Sequence, residues 1–185
     1  MKLLLHICCA PCSTEVIERL SSQHEVTGFF YNPNIHPKRE YKSRLGEFER
    51  FSKKVGFRVI CGDYDVKEWF ERTRGLEKEP EGGKRCEVCF RIRLEETAKV
   101  AKEQGFDLFT TTLTISPHKD AKVINTIGED LEKTHGISFL AADFKKKDGF
   151  KKSVEHSKKH GLHRQDYCGC IFSRMERRAQ TGLVR

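Results

Sequence analysis

The feature that most constrains the fold is the stretch LLLHICCAPCST at residues 3–14. Its apolar run is typical of a buried strand, and Pro11 followed by Ser and Thr is typical of a tight turn into a helix. Ligands of open α/β sheets bind at the carboxyl ends of the strands, where a helix N-terminus also favours thiolate over thiol. We therefore expect Cys8, Cys9 and Cys12 to lie at a binding edge that suits a metal.

Strand-like and helix-like segments alternate along the rest of the chain. Predicted strands follow the opening run at 25–31, 57–62, 106–114 and 137–142. Apolar residues at helical spacing predict helices at 14–22, 38–55, 65–74, 85–104 and 121–134, and the last part is helical and strongly basic. This alternation predicts a parallel, Rossmann-like α/β sheet with helices on both faces. The length of 185 residues fits a single domain, 1–185.

The N-terminus does not resemble a targeting segment. It carries one basic residue, Lys2, and an apolar run too short to span a membrane. We therefore expect a cytoplasmic protein without a membrane partner. Reducing cytosol disfavours structural disulfides, so clustered thiols there favour metal binding or redox chemistry. Cys61 stands apart in a strand-like run, and we expect it to be a buried core thiol.

Seven of the eight cysteines stand in three groups: Cys8, Cys9 and Cys12, then Cys86 and Cys89, then Cys168 and Cys170. Seven thiols exceed one tetrahedral site, which favours an iron–sulfur cluster plus a second metal or a redox dithiol. The alternative is one structural zinc on Cys9, Cys12, Cys86 and Cys89, with the last pair in a flexible tail or a redox disulfide bond. Adjacent cysteines are expected to point apart, which argues against a purely structural site at Cys8 and Cys9.

The chain is basic, with 35 Lys and Arg against 27 Asp and Glu and a net charge of +8. This excess suits an anionic partner, with nucleic acid the leading candidate, although a surface rich in ion pairs has the same composition. Stacking surfaces and phosphate contacts could come from Tyr31, Tyr167, Arg39 and Arg91. The sequence lacks a P-loop and a GxGxxG fingerprint, the usual marks of nucleotide binding.

Two turns at predicted strand ends carry further polar residues. In SPHKD at 116–120, Asp120 can cap the next helix and Lys119 can bind a phosphate, while a plain turn leaves His118 without a role. The turn NPNIHP at 32–37 delivers His36, for which an ordinary turn histidine is the simpler interpretation.

Five motifs together resemble those of the QueH family, the cobalamin-independent epoxyqueuosine reductases. They are HICCAPC at 6–12, YNPNIHP at 31–37, RCEVCF at 85–90, TTLTISPHK at 111–119 and QDYCGC at 165–170. The resemblance covers nearly the whole chain in the family's order. It implies reductive removal of the epoxide oxygen from epoxyqueuosine in a tRNA anticodon, the last step of queuosine synthesis. It also implies a fold similar to the adenine nucleotide α-hydrolases, a [4Fe-4S] cluster and a neighbouring metal ion, iron or zinc.

Candidate roles follow from this resemblance and from the chemistry of epoxide reduction. Cys9, Cys12, Cys86 and Cys89 are the main candidates for cluster ligands, and Cys8, Cys168 and Cys170 for the second metal site or a redox relay. Protons could come from Tyr31, His36, His118 or solvent. Lys119 and the C-terminal lysines would hold RNA phosphates, with Arg39 and Arg91 as further RNA contacts. The electron donor stays unidentified.

Two alternatives come from other classes of protein. A non-catalytic, zinc-stabilised RNA-binding module would be colourless and would keep its RNA affinity when Cys168 and Cys170 become serine. An ATP-dependent tRNA-modifying enzyme of related fold would need ATP at the first strand's edge, where this sequence has Cys-Cys-Ala-Pro-Cys.

Overall fold

Strands and helices alternate through the computed structural model, which describes residues 1–182. The strands β1 to β5 are Lys2–His6, Glu25–Phe30, Val59–Cys61, Leu108–Thr111 and Ser138–Phe139. The helices α1 to α7 are Ala10–Ser21, Lys38–Val55, Val66–Arg72, Lys84–Glu103, Ala121–His135, Gly149–His160 and Ile171–Gln180. Within the described range, no helix is long and apolar enough to cross a membrane.

The five strands form one parallel sheet in the order β3-β2-β1-β4-β5. The apolar opening strand β1 is central, with Leu5 paired to Gly28 of β2 and to Thr110 of β4. The chain moves outward to β2 and β3 on one side and crosses back to β4 and β5 on the other. The strand order therefore reverses at β1, and in such sheets the crevice beyond this reversal is the usual ligand site.

Both faces of the sheet are buried, which explains the continuous apolar run in β1. Leu4 packs into one core with Phe109 and residues of α4 and α5. Leu3 and Leu5 point to the opposite face and pack into a second core with Val16 and Phe48. A strand with helices on both sides has no polar face, so its sequence does not alternate.

Two elements at the carboxyl edge differ from the sequence prediction. Helix α1 begins at Ala10, four residues earlier than expected, because Pro11 fits the first turn of a helix, where no N–H donor is needed. Strand β4 ends at Thr111 because the Thr111 hydroxyl accepts a hydrogen bond from the Leu113 N–H at 3.1 Å, which starts a 3₁₀ turn at Thr112–Ile115. These changes place Cys12 inside a helix and Thr112 beside the cysteines.

The expectation that Cys61 is a buried core thiol is wrong, because its side chain is exposed. Cys61 is the last residue of β3, which lies at the edge of the sheet. An edge strand has a neighbour on one side alone, so its terminal residue has little to pack against.

Candidate active site

Two adjoining cavities lie at the carboxyl edge of the sheet. The smaller, of about 170 Å³, is lined by the four cysteines Cys86, Cys89, Cys168 and Cys170. The larger, of about 650 Å³, is lined by Cys8, Cys9, Cys12 and again Cys168. Both cavities share the lining residues Glu81, Arg93, His118, Lys119 and Cys168. The seven clustered cysteines therefore belong to one continuous site, as the sequence predicts.

The two cavities divide the cysteines differently from the two ligand sets expected from the sequence, one for the cluster and one for the second metal ion. Cys9 and Cys12, expected from the sequence to be cluster ligands together with Cys86 and Cys89, line a different cavity from that pair. The reason is local geometry: Cys9 and Cys12 sit at the start of α1, whereas Cys86 and Cys89 lie on the first turns of α4. The tertiary structure brings the α4 pair next to the C-terminal pair instead.

The triad of Cys8, Cys9 and Cys12 could hold a metal ion, because the three Sγ atoms lie within 4.8 Å of one another. The adjacent Cys8 and Cys9 do not point apart, and their Sγ atoms are 3.8 Å from each other. Cys9 is the N-cap residue of α1 with extended backbone, which turns its side chain toward the first turn of the helix and Cys12.

Hydrogen bonds among the three thiols lower the pKa of one of them and raise the pKa of the other two. Hydrogen bonds from the Cys12 and Cys9 thiols hold the pKa of Cys8 well below its usual value, helped by the Lys119 ammonium. The Thr112 hydroxyl also donates to the Cys8 Sγ at 3.4 Å. The same thiol–thiolate interactions raise the pKa of Cys9 and raise that of Cys12 to about 12. A thiolate flanked by two thiols is a soft donor set of the kind that binds zinc and iron.

The second cysteine group combines two i, i+3 neighbours on α4 with the C-terminal pair. The Cys168 and Cys170 Sγ atoms lie 3.6 Å apart and both thiols are free. A disulfide requires about 2.05 Å, so the disulfide bond considered from the sequence is not present between them. A hydrogen bond from Cys170 lowers the pKa of Cys168 to about 6, and the same contact raises the pKa of Cys170.

Backbone N–H groups donate to two of these four sulfurs. The Gly82 N–H donates to the Cys86 Sγ at 3.2 Å, and the Ser173 N–H donates to the Cys170 Sγ at 3.3 Å. Cys170 thereby acts as the N-cap of α7, a role usually taken by an oxygen-bearing side chain. Burial raises the pKa of the Cys86 thiol to about 11. Two of the four sulfurs thus have backbone N–H donors, while burial by itself favours the neutral thiol.

Gly169 allows Cys168 and Cys170 to reach the same cavity. Its φ of +119° is one that L side chains rarely adopt, and a Cβ there would lie 2.9 Å from the Ile35 side chain. The loop is anchored from α2 by Arg44, which donates to the carbonyl oxygens of Cys168 at 3.2 Å and Tyr167 at 3.4 Å. The His36 N–H donates to the Gly169 carbonyl at 2.8 Å.

Lys119 and Arg93 line both cavities and place positive charge between the two cysteine groups. Burial lowers the pKa of Lys119, but electrostatic attraction to the sulfurs of Cys8, Cys12 and Cys168 outweighs it, so the net pKa is raised. The Lys145 ammonium donates to the Lys119 carbonyl at 3.0 Å and steadies this loop. Lys119, expected to bind an RNA phosphate, therefore faces the thiols.

No motif in the sequence singles out Arg44 or Arg93. Both are buried arginines on otherwise apolar helix faces, Arg44 between Tyr41 and Phe48 and Arg93 over the Phe90 ring. A charged residue in such a position is rarely buried without a partner, and this pattern is the signal by which they could be found.

Among the candidate proton donors, His118 lines both cavities, but Tyr31 and His36 line neither. Tyr31 is buried against Phe29, with ring centroids 5.9 Å apart. The His36 ring lies against Trp69 and Phe70, and burial lowers its pKa to about 4. The structure therefore does not bring Tyr31 and His36 to the cysteine site through their side chains.

The two arginines expected to contact RNA also lie outside the cavities. Arg39 is exposed on the first turn of α2. Arg91, on α4, forms an ion pair with Asp130 of α5 at 2.8 Å. Asp120 has the expected capping role, accepting from the Lys122 N–H at 2.7 Å.

A parallel sheet whose central edge carries seven thiols around two cavities defines a thiol-lined α/β protein equipped to bind metal. A family model described as epoxyqueuosine reductase QueH matches residues 3–176. The chain belongs to this family of reductases, which confirms the resemblance seen in the motifs.

Curated relatives with the name epoxyqueuosine reductase QueH match most of the chain. The protein of Haemophilus influenzae is 47% identical over 174 residues, 93% of this chain and 71% of the relative. That of Streptococcus pyogenes serotype M1 is 45% identical over 177 residues, 92% of this chain and 69% of the relative. That of Thermotoga maritima is 36% identical over 184 residues, 98% of this chain and 94% of the relative.

A solved structure, described as a predicted subunit of tRNA methyltransferase from Methanocaldococcus jannaschii, shares the fold. Its TM-score is 0.52 at 13% identity, over 88% of this chain and 89% of that chain. With the sheet order, this likeness confirms the predicted class, a parallel Rossmann-like α/β sheet.

Proposed function

We propose that this protein reduces epoxyqueuosine in tRNA to queuosine, the last step of queuosine biosynthesis, in the cytoplasm. The observation that carries this proposal is the continuous site of seven cysteines around two adjoining cavities in a member of the QueH family. The reaction breaks both C–O bonds of the epoxide and forms a C=C bond. It consumes two electrons and two protons, and the oxygen leaves as water. The electrons come from an external reductant.

The smaller cavity suits an iron–sulfur cluster. Four cysteines line it, two of their sulfurs accept backbone N–H groups, and the cavity is otherwise lined largely by apolar and cationic residues. Four thiolates are the usual ligands of a [4Fe-4S] cluster. We assign Cys86, Cys89, Cys168 and Cys170 as these ligands, in place of the partition expected from the sequence. Such a cluster supplies electrons to the site.

The triad of Cys8, Cys9 and Cys12 suits a second metal ion, iron or zinc. Three thiols with Sγ atoms within 4.8 Å of one another, one of them with a lowered pKa, match the preference of both ions for sulfur, and the triad faces the larger cavity. Three protein ligands leave a coordination position for substrate, as in catalytic metal sites. A metal ion held there would supply a Lewis acid for the epoxide oxygen.

The larger cavity is the binding site for the modified nucleoside. Its volume of about 650 Å³ lies within the range of small-molecule pockets, about 300–1,000 Å³. Two aromatic side chains line it, Tyr167 and Phe150, each beneath a guanidinium: Arg44 at 5.0 Å and Arg164 at 5.1 Å. Because a base in an anticodon must leave its stack to be processed, these rings offer it stacking surfaces.

Lys119 stabilises the negative charge that develops on the epoxide oxygen as the C–O bond breaks. Its ammonium lines both cavities and needs no rearrangement to act, which is the condition for electrostatic stabilisation of a transition state. His118, beside it, is the candidate proton donor that reaches both cavities.

Basic residues of the last two helices are placed to hold the RNA backbone. Arg177 of α7 and Phe150 of α6 both line the larger cavity, so these helices flank its mouth. Their exposed cations are Lys151, Lys152, Lys158, Lys159, Arg177 and Arg178. Such residues bind phosphates and release counterions from the RNA.

The decisive experiment is anaerobic reconstitution with iron and sulfide, followed by incubation with epoxyqueuosine-containing tRNA and a strong reductant. Nucleoside analysis by mass spectrometry should show loss of one oxygen and formation of queuosine. A protein with iron and sulfide that never forms queuosine overturns the proposed activity. A colourless protein with a single zinc ion, and RNA affinity unchanged by the C168S/C170S substitution, would support the RNA-binding alternative.

A further inference from the structure

Two buried N–H groups on the smaller cavity have no partner within residues 1–182. They are the indole Nε1 of Trp69 and the Nε of Arg85. Both side chains line the cavity, and both are almost fully buried, with 0% and 1% of their surface exposed. A buried donor without an acceptor costs about 1–3 kcal/mol, so two at one cavity require an explanation.

Packing and hydrogen bonds hold both groups in place. The Trp69 ring has aromatic neighbours, with ring centroids 4.9 Å from His36, 5.2 Å from Phe70 and 6.2 Å from Phe172. Arg85 uses its terminal nitrogens elsewhere: Nη1 donates to the carbonyls of the loop before α4, and Nη2 pairs with Glu176 at 3.1 Å. These contacts do not use the Nε–H of Arg85.

Sulfur is the main acceptor that this cavity offers, because its two carboxylates, Glu81 and Asp120, already accept from the Ser173 hydroxyl and the Lys122 N–H. Four cysteines line it, and two of their sulfurs already accept N–H groups, from Gly82 and Ser173. The unpartnered donors of Trp69 and Arg85 lie on the same cavity as these sulfurs. A sulfur-rich group bound there would add acceptors for these two donors.

We propose that the Trp69 indole N–H and the Arg85 Nε–H donate hydrogen bonds to the sulfur atoms of the cluster in the smaller cavity and raise its reduction potential. This inference rests on the proposed function, since it requires the cluster. Reduction adds negative charge to the sulfurs, so N–H donors and a guanidinium stabilise the reduced form more than the oxidised form. Trp69 and Arg85 are thus tuning residues that act through the cluster and do not contact substrate.

Trp69 is the single tryptophan of the sequence, which allows a test without substitution. Protein labelled with tryptophan that carries ¹⁵N in the indole ring is reconstituted, reduced and studied by pulsed electron paramagnetic resonance. A ¹⁵N hyperfine coupling to the reduced cluster is the expected result. A reduced cluster without such a coupling overturns the role of Trp69.

A second measurement compares midpoint potentials in reconstituted protein. W69F keeps an aromatic ring but removes the N–H, so we expect a more negative potential; a tenfold change in the ratio of oxidised to reduced cluster corresponds to about 59 mV for one electron. F90L is the control, because Phe90 lines the same cavity and offers no N–H. Equal midpoint potentials in W69F, F90L and the wild type overturn the role of Trp69 but leave the proposed cluster supported. Failure of the wild type to bind iron and sulfide overturns the proposed cofactor instead.

Discussion

The Arg44 guanidinium of α2 donates to the backbone carbonyl of Cys168 at 3.2 Å, although 124 residues separate the two in the chain. Arg44 also pairs with Glu40 at 2.7 Å and lies over the Tyr167 ring. One buried side chain thus connects the middle of the chain to the C-terminal cysteine loop. The position of Cys168 and Cys170 depends on tertiary contacts of this kind more than on the helix that follows them.

Replacing Arg44 by Met should therefore loosen the cysteine loop. Hydrogen bonds to a charged donor contribute about 1.5–3 kcal/mol each, so we expect lower unfolding free energy and less iron per chain after reconstitution. Urea unfolding and iron analysis measure both effects. The control is E40Q, which keeps the guanidinium and its bonds to the loop. Equal iron contents in R44M and the wild type would show that the anchor is not needed for cofactor binding.

Replacing Lys119 by Met tests its position beside the thiols. If its ammonium stabilises charge at the epoxide oxygen, kcat should fall about 10²–10³-fold, with little change in affinity for tRNA. The control is K122M, whose side chain is exposed on the next helix. A K119M variant with normal kcat and weakened tRNA binding would instead support the phosphate contact expected from the sequence.

His6 makes stability depend on pH. Its Nε2 donates to the Tyr31 carbonyl at 3.0 Å, and its Nδ1 lies 2.9 Å from the Thr111 hydroxyl. Burial lowers its pKa from 6.5 to about 3. Between these values the unfolded chain binds a proton that the folded chain does not. The free energy of unfolding therefore keeps the full contribution of the neutral His6 ring above pH 6.5. Below pH 6.5 this contribution falls by about 1.4 kcal/mol per pH unit.

Urea unfolding of the metal-free, reduced protein between pH 7 and pH 5 measures this dependence. H6Q should be less stable at pH 7 but should lose less stability on acidification. H163Q, at an exposed histidine, should keep the wild-type slope. Identical slopes for H6Q and the wild type would contradict the assignment.

The two cavities predict which cysteines hold which metal. C89S, in the smaller cavity, should remove the cluster's visible absorbance and the acid-labile sulfide. C12S, in the larger cavity, should keep the cluster and lose the second metal ion, as measured by metal analysis. C61S is the control, since this thiol is exposed and outside both cavities. Loss of sulfide in C12S would restore the partition expected from the sequence.

Arg177 and Arg91 distinguish two surfaces for RNA. Arg177 lines the larger cavity, so R177A should weaken tRNA binding. The slope of log K against the logarithm of the salt concentration should become shallower by about 0.7–0.9, the value for one lost phosphate contact. R91A should have little effect, because Arg91 is paired with Asp130. Binding isotherms at several salt concentrations make the comparison. A stronger effect of R91A would place the RNA on α4 and α5.

The sequence by itself determined the parallel α/β class, the long helix α2 and the convergence of the cysteine motifs on one edge. These features depend on local patterns: apolar runs, helical periodicity and the rule that strand carboxyl ends share one edge. The exposed Cys61 shows the limit of such patterns, because a strand-like run does not reveal whether its strand is central or at the edge.

The tertiary structure alone decided how the cysteines are grouped, where Lys119 and Arg44 act, and that Tyr31 and His36 lie outside the cavities. The physical reason is that side-chain direction near a strand end depends on where helices begin and on contacts between distant segments. The start of α1 at Ala10, the φ of Gly169 and the bond from Arg44 to Cys168 each help to set where a cysteine side chain lies. The spacing along the chain identifies the clustered thiols, and the packing of the helices and loops decides which cavity each of them lines.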